Sequence, residues 1–194
     1  MKLRMCALAA LFLVPTGIAY ADGAVQKLMT PADKARLEKY DETRKAALEE
    51  AKSGDAAEAA ALNSLLAKPL LTLSDFDLGG DWQCRTTKVG GLSPLIVYGW
   101  FKCRVSDDGS GWKLEKISGS QRTTGRFYDD GENRLIYLGS FYVAGETPKP
   151  YGSGLESDQV GYAFRTGATE WRINYRRRNM NPSSTFSNSG AECG

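Results

Sequence analysis

The chain has 194 residues, of which 25 are Lys or Arg and 23 are Asp or Glu, so its formal net charge is only +2. This balance excludes the strongly basic surface typical of nucleic-acid binding. The sequence contains no histidine, which excludes histidine-based nucleophilic catalysis and histidine-bearing metal sites. We predict no cofactor, no metal site and no catalytic residue, and the length suits one domain with an appendage.

The first 21 residues have the pattern of a secretory signal peptide. Lys2 and Arg4 give a positive start, an apolar run follows, and Ala19-Tyr20-Ala21 supplies small residues for cleavage. The apolar run is shorter than the roughly 20 residues that cross a bilayer, so cleavage is favoured over a membrane anchor. We therefore expect a periplasmic or secreted protein with no membrane span, whose net charge falls to zero once Lys2 and Arg4 are removed.

Residues 22–69 are expected to form a helical hairpin, with helices over residues 30–52 and 56–67. Thr30-Pro31 is typical of a helix start, with a hydroxyl cap before a proline, and Asp55 can cap the second helix after Gly54 ends the first. Apolar residues recur at helical spacing, and the charged residues between them predict a solvated face.

From residue 70 onward the composition changes to Gly, Thr, Arg and aromatic residues, which are typical of short strands joined by turns. Seven strands are predicted, over residues 80–88, 95–105, 111–119, 121–128, 133–144, 158–166 and 169–177. We expect a mainly β protein, α+β overall, in which residues 70–178 form an antiparallel up-and-down β-barrel of seven to eight strands behind the helical hairpin. Residues 179–194 form a Ser/Asn-rich tail or a weak last strand.

The last of the seven predicted strands alternates between an apolar and a polar face, as expected for a half-buried strand. The apolar face carries Trp171, Ile173 and Tyr175, and the polar face carries Arg172, Asn174 and Arg176.

Three cysteines remain after signal cleavage, so at most one intramolecular disulfide can form. Pairing the first two strands with Cys84 opposite Cys103 places both on one apolar face. The same register sets Trp82 opposite Val105 and Thr86 opposite Phe101. A Cys84–Cys103 bridge is therefore predicted, which would contribute roughly 3 kcal/mol. The alternative is a bridge to Cys193 that leaves the other cysteine of the hairpin unbridged.

The sequence Gly80-Asp81-Trp82 at the head of the β region resembles the G-x-W motif of the lipocalin-like, or calycin, barrels. In those barrels a short helix precedes the tryptophan, and an arginine late in the chain packs across its ring. The resemblance implies a structural role for Gly80 and Trp82, and it assigns the packing role to Arg177, whose position in the alternation matches the apolar face.

A wider resemblance covers most of the chain. It rests on four motifs in order: Trp82-Gln83-Cys84-Arg85-Thr86, Tyr98-Gly99-Trp100-Phe101-Lys102-Cys103-Arg104, Gly119-Ser120-Gln121-Arg122-Thr123 and Tyr137-Leu138-Gly139. Together they resemble the DUF4893 family, exported bacterial proteins that share a domain of unknown function. The resemblance implies export and no particular activity.

Cations, hydrogen-bond donors and rings lie on neighbouring predicted strands and form a candidate binding set: Arg85, Tyr98, Trp100, Arg104, Gln121 and Arg122. If they converge at a barrel mouth, they can hold an anionic or glycan ligand through bidentate and stacking contacts. The alternative is that the arginines only cover the outside of the sheet. The acidic pairs Asp107-Asp108 and Asp129-Asp130 are typical of turns, where Asp bonds nearby backbone N–H groups.

These patterns lead to three functional hypotheses. The first is a non-enzymatic binding or interaction module outside the cytoplasm, holding either a small amphipathic ligand or an envelope protein, as an inhibitor of a protease or lysozyme does. The second is an envelope glycan enzyme with two facing carboxylates. The third is a purely structural envelope protein. A barrel with a sizeable cavity would favour a ligand, and a barrel packed solid would favour a protein partner.

Overall fold

The computed structural model of the chain describes residues 22–90, 93–176 and 192–193, the first two and the last two by their backbone alone. The predicted signal peptide, Arg177 and all of the tail except residues 192–193 lie outside the described residues.

Within the described residues, four helices precede the sheet: α1 (Asp22–Leu28), α2 (Pro31–Glu38), α3 (Tyr40–Ala51) and α4 (Ala56–Leu66). Both predicted caps are present, because the Thr30 side chain accepts a hydrogen bond from the backbone N–H of Asp33, and Asp55 caps α4 in the same way. The first predicted helix is divided at Lys39, which leaves helical geometry and whose carbonyl oxygen accepts a hydrogen bond from Arg176. Among the described residues, no helix is both long enough and apolar enough to cross a membrane.

The seven predicted strands are present: β1 (Gly80–Val89), β2 (Leu95–Asp107), β3 (Trp112–Lys116), β4 (Gln121–Asp129), β5 (Leu135–Val143), β6 (Asp158–Arg165) and β7 (Trp171–Arg176). Each pairs antiparallel with the next along the chain, so a mainly β, strongly curled sheet forms in up-and-down order. The two-residue strand β8 (Glu192–Cys193) pairs with both β7 and β1 and connects the two edges of the sheet.

The inward side chains of this sheet form its main core. Trp171 lies near the centre, only 1% exposed, with its ring perpendicular to those of Phe127 and Trp82 at centroid distances of 5.6 and 5.9 Å. The segment over residues 71–79 closes this end, where Phe76 and Leu78 are buried and the Trp82 indole donates a 2.9 Å hydrogen bond to the Leu78 carbonyl. The rest of the core comprises Cys84, Cys103, Val105, Leu114, Leu135, Tyr137, Ala163, Ile173 and Tyr175. This part of the barrel is packed with side chains.

The helices lie against the outer face of the sheet. Two apolar clusters join them to it: Ala47, Ala51 and Leu62 with Val89 and Leu95, and Val25, Met29 and Leu37 with Ile136, Leu138 and Val160. Most charged residues of the helices lie on the exposed side, as the helical spacing predicts. Asp33 of α2 is an exception: it is fully buried, pairs with Arg36 and accepts a 2.6 Å hydrogen bond from the Tyr151 hydroxyl.

The helices also bury the polar face of β7, which the alternation pattern places at the surface. Arg172 is only 3% exposed, and its Nη1 donates a 2.8 Å hydrogen bond to the Leu65 carbonyl at the end of α4. The Asn174 amide donates a 2.8 Å hydrogen bond to the Tyr40 hydroxyl. A cation at a helix C-terminus is favourable, because the last carbonyls carry partial negative charge. The expectation that β7 is only half-buried is therefore wrong: its polar side chains bind the helices.

The register of β1 and β2 differs by two residues from the predicted one. Trp82 lies opposite Cys103 and Cys84 lies opposite Phe101, so the predicted facing pairs are wrong. The pairing follows from the turn, where the Gly90 N–H donates to the Pro94 carbonyl, and from an irregularity between Arg85 and Thr87. Because side chains alternate with a period of two, a two-residue shift keeps the same faces inward.

The two cysteine side chains still contact each other diagonally across the hairpin. Cys84 and Cys103 are both buried, and their sulfur atoms lie near each other but not at disulfide distance. The hydrogen bond with Cys84, together with burial, raises the pKa of the Cys103 thiol. Cys193 in β8 lies directly opposite Cys84 in the sheet.

Candidate functional site

A pocket of about 180 Å³ opens at the end of the barrel opposite residues 71–79. Every strand from β1 to β7 contributes to its wall, so the pocket is the mouth of the barrel. The lining residues are Thr86, Lys88, Tyr98, Phe101, Lys116, Ser120, Gln121, Arg122, Thr123, Phe141, Gln159 and Tyr175. We refer to this set as the mouth pocket.

The described lining of the mouth pocket carries positive charge only. It includes Lys88, Lys116 and Arg122 but neither Asp nor Glu. Lys88 Nζ bonds the Gln121 side-chain oxygen at 3.1 Å and lies over the Tyr98 ring, and the Arg122 Nε donates to the Gly119 carbonyl at 3.0 Å. These cations are held by neutral groups, which leaves their charge available to an anion.

Lys116 is the most enclosed of the three cations. It follows Leu114 on the inward face of β3 and is only 9% exposed. Its Nζ donates a 2.9 Å hydrogen bond to the Gln121 carbonyl and lies 3.6 Å from the centroid of the Phe101 ring. Burial lowers the pKa of Lys116, and the positive charges of Lys88 and Arg122 lower it further.

Polar side chains separate the mouth pocket from the core below it. The Tyr137 hydroxyl lies 2.7 Å from the Thr123 hydroxyl, and Thr123 donates a 2.5 Å hydrogen bond to the Gln159 side-chain oxygen. The Tyr175 ring packs against Tyr137 at a centroid distance of 5.3 Å. Burial raises the pKa of both tyrosines, so their hydroxyls stay protonated and act as neutral donors.

Two glycines make room for this arrangement. Gly125 and Gly139 lie opposite each other on β4 and β5, and a Cβ on either would overlap the Tyr137 ring. At the rim, Gly119 has a φ of +81° and lies against Phe101, so a side chain there would displace the ring that contacts Lys116. The glycines therefore position both the floor and one wall of the mouth pocket.

The structure divides the predicted binding set into two groups. Tyr98, Gln121 and Arg122 line the mouth pocket. Arg85, Trp100 and Arg104 lie on the outside of the sheet, where Arg85 lies over the Trp100 ring. Arg104 forms an exposed ion pair with Asp81.

Sequence reasoning missed the two lysines of the mouth pocket, Lys88 and Lys116. A signal for Lys116 exists in the sequence, because the lysine falls on the face of β3 that Leu114 assigns to the interior. A lysine on the apolar face of a strand indicates that the strand ends there or that the cation is enclosed. Lys116 is both the last residue of β3 and an enclosed cation.

The acidic pairs in the turns have partners outside the mouth pocket. Asp108 pairs with Arg126, and the hydrogen bond from Arg126 lowers the pKa of the Asp108 carboxyl to about 2. Asp130 pairs with Arg134. Among the described residues, no group of three or more Cys, Asp or Glu side chains could hold a metal ion. The two facing acids that a carboxylate-based glycan enzyme needs are not found in the described lining of the mouth pocket.

No curated protein and no solved structure matches the chain. A family model does match, over residues 25–183, which includes the last part of α1, the helices α2 to α4, the strands β1 to β7 and the whole mouth pocket. The chain belongs to the family described as Domain of unknown function (DUF4893).

Proposed function

We propose that the protein is a non-enzymatic binding module that holds a small organic anion in the mouth pocket. The observation that carries this proposal is the combination of three cations with no acid among the described residues that line the pocket. A carboxylate is the expected anionic group, since lysine and arginine bind it through charge-assisted hydrogen bonds.

The pocket walls indicate what the rest of the ligand is. Tyr98, Phe101 and Phe141 present rings, while Thr123 and Gln159 present polar groups at the floor. A volume of about 180 Å³ is smaller than the roughly 300–1,000 Å³ typical of pockets for drug-sized ligands. The best fit is a small aromatic or short-chain carboxylate, or the acidic end of a longer molecule. The packed core below the pocket argues against an apolar ligand held deep inside the barrel.

Calorimetric titration with benzoate tests the proposal, with neutral benzamide as the matched ligand. We expect saturable binding of benzoate and much weaker binding of benzamide. The double variant Lys88→Gln/Arg122→Gln loses two charge-assisted contacts of roughly 1.5–3 kcal/mol each, so its affinity should fall at least about a hundredfold.

The control for this variant removes the same charge elsewhere. Lys45→Gln/Lys102→Gln changes two exposed lysines outside the pocket and should bind benzoate like the unaltered protein. Equal loss of affinity in both double variants, or no saturable binding of benzoate, would contradict the proposal.

A second candidate, inhibition of an envelope protease or lysozyme, has one supporting observation. Trp100 is 52% exposed on the outside of the sheet, with the Arg85 guanidinium 4.9 Å from its ring centroid. Tryptophan and arginine are enriched among the residues that dominate protein interfaces. Absence of inhibition in assays against lysozyme and envelope proteases would remove this candidate, and inhibition unchanged by Trp100→Ala would remove the role of Trp100.

We also propose that the module works outside the cytoplasm and carries one disulfide there. The signal-peptide pattern of residues 1–21 supports export, and the contact of Cys84 with Cys103 supports a bridge between them once the thiols are oxidised. The position of Cys193 opposite Cys84 supports the alternative bridge. Peptide mapping of the exported, unreduced protein distinguishes the two, and an intact N-terminus there would contradict cleavage.

The calycin-like barrel is likewise a proposal. The up-and-down strand order and the position of Trp82 at the head of β1 support it. The expected contact between Arg177 and Trp82 falls outside the described residues, and the described part of the structure packs Trp82 against Trp171 instead.

A further inference from the structure

We propose that Lys116 captures carbonyl compounds: its amine forms a Schiff base with an aldehyde whose carboxylate is held by Lys88 and Arg122. This inference rests on the proposed anion site and deepens it, because it names the reactive class of the ligand and assigns a covalent role to one residue.

The geometry of Lys116 is that of an enclosed amine facing a pocket. Its stem occupies the inward face of β3, and its Nζ is positioned by the Gln121 carbonyl and the Phe101 ring. A Cβ added at Gly119 would lie 3.6 Å from Nζ, so the glycine at the rim leaves the approach to the amine open. A ligand in the mouth pocket therefore contacts the amine itself.

Burial lowers the pKa of Lys116 and so increases the fraction of unprotonated amine, which is the nucleophile. The thiols of Cys103 and Cys84 raise this pKa, and the positive charges of Lys88 and Arg122 lower it by smaller contributions. No carboxylate lies among the described lining residues, whereas the Gln121 carbonyl and the Phe101 ring that contact Nζ favour the ammonium. The other titratable groups of the described lining, on β2 and β7, are Tyr98 and Tyr175. Desolvation beside other cations is an established way of activating a lysine toward carbonyl compounds.

The chemistry needs no other reactant. The lone pair of Nζ attacks the aldehyde carbon, and a proton passes from nitrogen to the former carbonyl oxygen to give a carbinolamine. The carbon–oxygen bond then breaks, one water molecule leaves with the second amine proton, and a carbon–nitrogen double bond remains. Thr123 and Gln159, which line the same pocket, have polar groups that can hydrogen-bond the leaving oxygen. The step is reversible, so the protein would hold and release its ligand rather than convert it.

The probe that matches the pocket is 4-formylbenzoate, which carries an aldehyde and a carboxylate on one ring. The full mature chain is incubated with this probe at neutral pH, the imine is reduced with borohydride, and the modified lysines are identified by peptide mass spectrometry. We expect Lys116 to be modified at least roughly tenfold more than the exposed Lys102, since the carboxylate contacts of Lys88 and Arg122 hold the aldehyde beside the Lys116 amine. Modification of Lys116 at or below the level of Lys102 would overturn the inference.

Two variants separate a covalent role from a merely structural one. Lys116→Arg keeps the positive charge but has no amine, so it should lose the adduct and still bind benzoate. Lys88→Gln/Arg122→Gln should reduce adduct formation at Lys116 by removing the carboxylate contacts, whereas Lys45→Gln/Lys102→Gln should leave it unchanged. An adduct at Lys116 that is insensitive to the first double variant contradicts the carboxylate part of the proposal.

The same experiments distinguish failure of this inference from failure of the proposed function. If benzoate binds as expected and Lys116 is not modified, the anion site stands and the covalent role is wrong. If Lys116 is selectively modified but benzoate does not bind, the reactive amine stands and the proposed anion site is wrong.

Discussion

The two halves of the barrel interior are built by the same alternation of side chains but have opposite character. In the half closed by residues 71–79, inward positions carry large apolar groups such as Leu114, Phe127 and Trp171. In the half that opens at the mouth, inward positions of the same strands carry polar and charged groups such as Lys116 and Thr123. One half therefore stabilises the fold, and the other half exposes polar and charged side chains that can bind a ligand.

Stability and binding affinity are therefore expected to depend on different halves of the barrel interior. Tyr137 lies at the boundary, with its ring in the apolar core and its hydroxyl bonded to Thr123 at the floor of the mouth pocket. Substitutions on the core side of this tyrosine should change stability first, and substitutions on the mouth side should change binding first. Three variants test this division.

The largest expected effect is on the core side. Trp171→Ala removes a ring that contacts Phe127 and Trp82 and leaves a large cavity, so the free energy of unfolding should fall by about 3–5 kcal/mol. Chemical denaturation followed by circular dichroism measures this loss. The matched variant Trp100→Ala removes the same side chain from the exposed outer face and should cost less than about 1 kcal/mol. Similar losses of unfolding free energy in both variants would show that the half of the interior around Trp171 is not tightly packed.

An intermediate effect is expected at the boundary itself. Gly139→Ala places a methyl group against the Tyr137 ring and the Thr124 carbonyl, so overpacking should cost about 1–3 kcal/mol. Because Tyr137 must move, benzoate binding should weaken as well. Gly99→Ala is the control, since no atom lies within 4 Å of its added methyl group. If the Gly139→Ala protein is as stable as the unaltered protein and binds benzoate equally well, the position of Tyr137 does not control binding in the mouth pocket.

The smallest expected effect is an increase in the free energy of unfolding, and it is expected on substitution of Lys116. Burial lowers the pKa of Lys116 below its ordinary value of 10.5, so the unfolded chain binds this proton more tightly than the folded protein does. Stability therefore rises with pH through the window between the lowered pKa and 10.5, and below that window the charged lysine destabilises the fold.

Lys116→Met should accordingly raise the stability at neutral pH, by less than about 1 kcal/mol, and the gain should shrink as the pH approaches 10.5. Denaturation midpoints measured across this pH range test the sign. Lys102→Met, at an exposed position, is the control for the same change of side chain without burial. A Lys116→Met protein that is less stable at every pH would mean that the lysine is structural.

Much of the fold was predictable because it depends on local patterns. The caps at Thr30 and Asp55, the seven strands and the inward face of β7 all follow from residue types at fixed spacing. Of the mouth pocket, the sequence identified Tyr98, Gln121 and Arg122 but not the lysines. The alternation of β3 places Lys116 on the same face as Leu114, but alternation does not show that this end of the strand lies at a pocket, so the lysine was missed.

The register of β1 and β2 is a feature that local patterns cannot predict. Alternation correctly places Cys84 and Cys103 on the inner face, but registers that differ by two residues have the same alternation. Which register forms depends on the closing turn and on the irregularity after Arg85, neither of which the periodicity encodes.

Most of the helices and strands, and the apolar faces of the strands, follow from the sequence alone, because those properties repeat every few residues. Helix α1 and the division of the first predicted helix at Lys39 do not follow from it. The tertiary structure alone decided which surfaces are covered. Arg172 and Asn174 are buried only because the helices lie across β7, and the cations of the mouth pocket meet only because strands from distant parts of the chain end at one rim. Burial and convergence are properties of long-range packing, so no local spacing rule could have assigned them.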